Sequence, residues 1–113
     1  MEKLKEISKH QFNLQEKIDF AISEKYLESY RNLSQETIQQ IDFNNLESVK
    51  DFFKEFIDVF KNEDNNNHIT KSFSKEIIYE FLKQRSANEL LENPEINPIF
   101  LEALQVNNRL QNS

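Results

Sequence analysis

Residues 46–60, LESVKDFFKEFIDVF, constrain the fold more than any other stretch of this chain. At about 100° per residue, Leu46, Val49, Phe52, Phe53, Phe56, Ile57, Val59 and Phe60 fall within roughly 160° of helical arc. Glu47, Ser48, Lys50, Asp51, Lys54, Glu55, Asp58 and Lys61 fill the opposite side, where solvent is expected. So wide an apolar face exceeds what one neighbouring helix covers, and at least two helices must pack on it. The sequence therefore predicts an all-α fold. It should be a compact, single-domain bundle of about five to six helices, four main ones and one or two short.

What the chain lacks narrows its chemistry. Among 113 residues there is no Gly. Gly-rich phosphate loops, the dinucleotide fingerprint and the strand–turn–helix nucleophile elbow need close backbone approach or positive φ, and all three drop out. With no Cys, a disulfide framework, a thiolate zinc site and a cysteine nucleophile are excluded together. Only His10 and His68 remain as imidazole ligands, too few for a His-based metal cluster. The net charge of -6, with Lys and Arg interleaved among acids, argues against nucleic acid as a partner. No apolar run approaches the roughly 18 residues of a membrane span, and MEKLKEISKH has no signal-peptide core. The chain reads as made and folded in a cytoplasm, with no membrane partner. Without Gly, Asn is the next residue to tolerate a left-handed helix stop, and Asn32, Asn62 and Asn93 are the expected stops. An AT-rich genome would enrich Asn equally well.

In chain order, the spacing predicts a first helix from about Glu2 to Asn32. Leu4, Ile7, Leu14, Ile18, Ala21, Ile22 and Tyr26 form its main stripe. Phe12, Phe20, Leu27 and Tyr30 form a second stripe rotated by roughly 100°, for which cover by a neighbouring helix is the expectation. Ser34 is placed to cap a short second helix, with Leu33 and Ile38 as its hydrophobic staple. Asn44 and Glu47 have capping-box spacing for the central helix. Ser74 is the expected cap of a further helix, with Phe73 stapled to Ile78. Leu90 and Leu91 fall off that helix's face, so a break is expected near Ser86, where SANE repeats the capping-box pattern. Asn97-Pro98 should open the last helix, with Ile96 stapled to Leu101. That helix should bury Ile99, Phe100, Ala103, Leu104, Val106 and Leu110.

Between the central helix and Ser74, residues 62–72, NEDNNNHITKS, read as a loop with the outline of an EF-hand. Asn62, Asp64 and Asn66 would take the first three ligand positions. The first ligand is then Asn, the Gly position is Asn67 and the bidentate Glu position is Phe73, so the loop reads as a connector and no metal is expected. Further on, LLENPEINPIFLEALQ resembles the short Asn-Pro helical repeats of heat-shock co-chaperones and ubiquitin-shuttle proteins. The likeness is confined to that run and carries no binding residue over.

Nothing in the spacing of Ser, His and acids marks a catalytic triad, and pairs such as Glu47/Asp51 and Asp51/Glu55 are expected to face solvent. The sequence thus predicts a non-enzymatic protein-binding module with no cofactor. The first reading is a small acidic inhibitor or immunity-type protein that neutralises a basic enzyme or toxin. The alternative is a helical adaptor or chaperone that holds a partner's apolar helix in a groove. The expected contact residues are Phe20, Leu27, Tyr30 and Glu24, rimmed by Glu16 and Lys9, with a second copy of the chain as another occupant. Exposure along this stripe discriminates the two readings: a continuous open groove suits the adaptor, a closed core with a charged exterior the inhibitor.

Overall fold

The computed structural model describes residues 12–24, 27–63 and 67–112, with the side chains of 24, 27–30 and 87 left aside. Among the described residues there are six helices and no strand, an all-α bundle. They are α1 (Leu14–Glu24), α2 (Leu27–Gln39), α3 (Leu46–Phe60), α4 (His68–Gln84), α5 (Ala87–Glu92) and α6 (Asn97–Gln111). None is long and apolar enough to cross a membrane.

The central stretch does what its pattern requires. On α3, Val49, Phe52, Phe53, Phe56, Ile57 and Phe60 are buried, with Leu46 and Val59 partly so. Its wide face meets α6 and α1 directly and reaches α4 through phenyl rings. Phe53 lies 4.7 Å from Phe81 and 5.5 Å from Phe100, while Phe52 stacks on Phe81 at 5.8 Å. Phe12, preceding α1, meets Phe52 edge-on at 5.4 Å. Elsewhere α2 lies closely along α4, and α5 folds back on α6. Ser34 and Thr37 are fully buried on α2, small enough to let it approach its neighbours, and Thr37 Oγ1 donates to the Leu33 carbonyl at 2.7 Å.

Several expected boundaries move. Of the first predicted helix, Leu4, Ile7 and Tyr26 lie outside the described residues; within them it begins only at Leu14, after Asn13, whose φ of 56° makes it the one left-handed residue among those described. Asn32 is no stop, because α2 runs through it, and Ser34 is a buried mid-helix residue rather than a cap. A Ser followed by Glu marks helix starts, but a small side chain also suits a close helix contact, and here packing wins. The central cap is Asn45, whose side chain accepts from Glu47 N, one residue after the predicted Asn44. The predicted 62–72 loop is shorter, since Asn67 caps α4 by accepting from Ile69 N and Thr70 N. Ser74 is consequently interior, its hydroxyl donating to Asn107 Oδ1 of α6 at 2.7 Å, and Phe73 is a core residue. Asn62 donates its amide to the Asp58 carbonyl, while residues 64–66 lie outside the described residues. Ser48 leaves the polar side it was assigned, buried where its Oγ accepts from Asp42 N.

The break near Ser86 is where it was expected, with the full capping box formed to Glu89. Asn93 ends α5 in extended backbone and not in the left-handed form. Asn97 lies inside the first turn of α6, so Ile96 takes the cap position, and Leu101 stays exposed while Ile96 enters the core. Phe100, Ala103, Val106 and Leu110 are buried as predicted, whereas Ile99 and Leu104, expected with them, are only partly buried at the edge of the core.

Two stability outcomes follow from this packing. Phe56 is fully buried between Phe52 and Phe60, so Phe56→Ala should remove about 3–5 kcal/mol from a domain holding about 5–15 kcal/mol. Thermal or denaturant unfolding reads this, and a midpoint unchanged from the parent would contradict it. Thr70 is the converse case, fully buried with an Oγ1 that finds no hydrogen-bond partner. Replacing that hydroxyl by a methyl removes an uncompensated desolvation cost, so Thr70→Val should stabilise the domain by about 1 kcal/mol. A lower melting temperature for this variant would show that the hydroxyl is satisfied.

Candidate functional site

The chain has ten Phe. Nine of them, Phe12, Phe43, Phe52, Phe53, Phe56, Phe60, Phe73, Phe81 and Phe100, are joined ring to ring in one network. Phe20 alone stands apart, with 52% of its surface exposed. The expected cover over the second stripe is thus present at Phe12 and absent at Phe20. Leu14, Ile18 and Ala21 already turn α1 toward the core, and Phe20 lies across the helix from Ile18. Exposed Glu16 lies one turn before it on the same side of α1, with exposed Asp19 about a quarter turn round the helix. The side chains of Glu24, Leu27 and Tyr30, together with all of Lys9, lie outside the described residues.

The helix that presents Phe20 is anchored by a carboxylate from α3. Glu55 Oε1 accepts from Phe12 N at 2.9 Å and Oε2 from Leu14 N at 2.8 Å. Unpaired N–H groups at a helix start favour a negative acceptor, and Glu55 supplies one across 41 residues of sequence. Glu55 is therefore half-buried and structural, where a solvent-facing acid was expected. Lys17 completes the anchor, donating Nζ to the Phe12 carbonyl at 2.6 Å and to Gln40 Oε1 at 3.2 Å. Burial pushes the Lys17 ammonium below its ordinary range, against the opposing pull of Glu55, Glu36 and Glu16. The Phe12 ring fixes the same segment from within, so Phe20 rides on a helix held at its first turn.

A second feature was not legible in the sequence. The turn before α3, the end of α4, α5 and the turn into α6 surround a cleft of about 200 Å³. Phe43, Leu46, Val49, Leu90 and Ile96 form its apolar lining, with Asn44, Arg85, Glu89 and Asn93 as the polar part. Side-chain hydrogen bonds hold every turn around it. Asp42 Oδ1 accepts from Asn44 N, Asn93 Oδ1 accepts from Glu95 N and Ile96 N, and Asn97 Nδ2 donates to the Leu91 carbonyl. Arg85 Nη2 donates to the Phe43 carbonyl at 2.8 Å while Nη1 pairs with Glu89 at 3.6 Å. Lys50 bridges Glu47 at 3.5 Å and Glu95 at 3.3 Å, and those contacts, chiefly the Glu95 hydrogen bond, raise its pKa. The sequence held two clues to this end of the bundle: the Arg85/Glu89 helical spacing, and a run from 86 to 108 with four Glu and no Lys or Arg.

A shallower depression of about 420 Å³ lies between α3 and α6 over Ile57 and Ile99, flanked by Lys54, Asp58, Lys61 and Glu102. Among the described residues no three His, Cys, Asp or Glu side chains are grouped to hold a metal ion. Comparison with protein-family models, curated proteins and solved structures finds no match to this chain. The functional reading therefore rests on the surface chemistry of the chain itself.

Glu55 offers a direct check on how the Phe20-bearing helix is held. Glu55→Ala leaves two helix-start N–H groups without their acceptor and should destabilise the domain by about 1–3 kcal/mol. Hydrogen exchange should rise first at residues 12–18, ahead of α3 and α4. Uniform loss of protection across all helices would show that Glu55 does not act at α1.

Proposed function

We propose that this domain is a non-enzymatic protein-binding module: a small acidic inhibitor or immunity-type protein that blocks a basic enzyme or toxin. The observation that carries this reading is Phe20, the one Phe outside the aromatic network, half exposed one helical turn after the exposed Glu16. An aromatic anchor within a charged surround is the usual form of an interface hot spot. A net charge of -6 favours a basic target and would speed the encounter with it. Of the described carboxylates only Glu80 is buried, and most of the others are exposed.

A helical adaptor needs a continuous apolar groove for its partner's helix. Among the described residues the large exposed apolar ones, Phe20, Tyr79, Leu91 and Leu101, stand on four different helices. Such dispersal, around a closed Phe core, supports the inhibitor reading over the adaptor.

The immobilised domain should retain a basic protein from extracts of the cells that make it, and should abolish that protein's activity at equimolar ratio. Retention should weaken as salt rises, because surface charges are screened within about 10 Å at 0.1 M. Phe20→Ser should keep the melting temperature close to the parent's while weakening binding by about thirtyfold, the effect of losing a 2 kcal/mol hot spot. Partners that stay fully active when saturated, or a Phe20→Ser chain that unfolds, would overturn the proposal.

A further inference from the structure

We propose that the exposed face of α1 receives an arginine-bearing segment of the partner, with the guanidinium between Asp19 and Glu63 and an apolar neighbour of that arginine against Phe20. This deepens the inhibitor reading, on which it rests, and carries the interface from α1 onto the end of α3. Gln15, Glu16, Asp19, Phe20 and Ser23 are all exposed and lie within roughly 140° of helical arc. Leu14, Ile18 and Ala21, on the other side of α1, are fully buried. Phe20 stands at one edge of the exposed face, and Asp19 lies toward the other, about 100° away. A helix with its side chains is about 10–12 Å across, so three or four residues of extended chain span the face.

Charge decides the occupant. Gln15 Nε2 donates to Asp19 Oδ1 at 3.2 Å and to Glu63 Oε2 at 3.1 Å, so one neutral amide draws together carboxylates from two elements. Glu16, the third carboxylate here, lies one turn before Phe20. Among the described residues no Lys or Arg makes an ion pair with any of the three. Lys17, the one cation within α1, is turned away, its Nζ donating to the Phe12 carbonyl and Gln40 Oε1. Lys61, two residues before Glu63, is paired with Asp58. The described charge on this face is therefore all negative, and Asp19 and Glu63 repel each other across an amide that carries no charge. A guanidinium supplies the missing charge, and its planar fork can donate to both carboxylates at once, as the compact ammonium of Lys does less well. Beside it, the half-exposed Phe20 ring offers the apolar contact that gives such a charged pairing its anchor.

The test is an NMR titration of the full chain with a capped hexapeptide of Ser and Ala that carries one Leu beside one Arg. Matched peptides replace the Arg by Lys, or by citrulline, which keeps the shape without the charge. The Arg peptide should produce saturable shifts at Gln15, Asp19, Phe20 and Glu63. Both matched peptides should bind more weakly, the citrulline one by about fivefold, as befits a solvent-screened charge contact. The double variant Asp19→Asn/Glu63→Gln keeps the size of both side chains and leaves the Glu55 anchor untouched. It should melt close to the parent and bind the Arg peptide about fivefold more weakly. No shifts at millimolar Arg peptide, equal binding of either matched peptide, or undiminished binding by the double variant would each overturn the proposal. Shifts as large at Glu89 and Glu92, the carboxylates of α5, would do the same, because they would mark a general attraction to acidic surface. A basic partner inhibited equally by the parent and the double variant, yet less by Phe20→Ser, would remove the arginine contact while leaving the inhibitor reading intact.

Discussion

Contact between Phe81 of α4 and the paired rings Phe52 and Phe53 of α3 is the interaction on which the rest of the bundle depends. Through it the central helix is tied to α4, and from the same rings the network reaches Phe12 ahead of α1, Phe43 in the turn before α3, and Phe100 in α6. Ring pairs add about 0.5–1.5 kcal/mol beyond the area they bury, so the network is both the bulk of the core and its most directional part. Phenyl groups are also large spacers. They let α3 meet α4 chiefly through side chains, whereas Ser34 and Thr37 allow α2 a close approach. Two kinds of helix contact, one wide and one tight, thus come from residue size alone.

A chain without Gly must finish its turns by other means, and side-chain hydrogen bonds provide them. Asn45, Asn67 and Asn93 each accept from backbone N–H groups at the turn or helix start that follows, and Ser86 does so with Glu89 in return. Asn thus serves this fold as an acceptor at helix starts far more than as a left-handed stop; the single positive φ, at Asn13, also precedes a helix. The Asn-rich composition has a structural use, independent of how it arose. The same bonds that end helices frame the cleft beside α5, so capping and site geometry are one set of contacts.

Strict separation of core from surface is what gives the inhibitor reading its physical basis. With nine Phe committed to each other, the described exterior is left to charged side chains of both signs, amide side chains and a few isolated apolar ones. Among the described residues the exposed apolar side chains stand apart, on separate helices. On the proposed inhibitor reading, isolated anchors of this kind would meet a partner whose own surface is basic and already folded.

The sequence by itself determined the helical class, the buried face of α3, the break at Ser86 and the interior of α6, because each depends on periodicity or local capping that a short stretch contains. Six helices among the described residues, with α5 as the short one after the break, lie within the predicted range. Tertiary structure decided what local pattern leaves ambiguous. Ser34 and Ser74 have the look of caps, yet both are interior, since a small polar side chain satisfies a helix start and a tight helix contact equally well. Glu55 looks like any exposed acid on α3 until the N-terminal end of α1 comes within 2.8 Å of it. Phe20 and Phe12 share a stripe in sequence but part company in space: the left-handed Asn13 puts Phe12 ahead of α1, where it meets the Phe52 ring, while Phe20 on α1 stays half exposed. The cleft is assembled from residues as far apart as Phe43 and Ile96, and such a concavity exists only once the helices are packed.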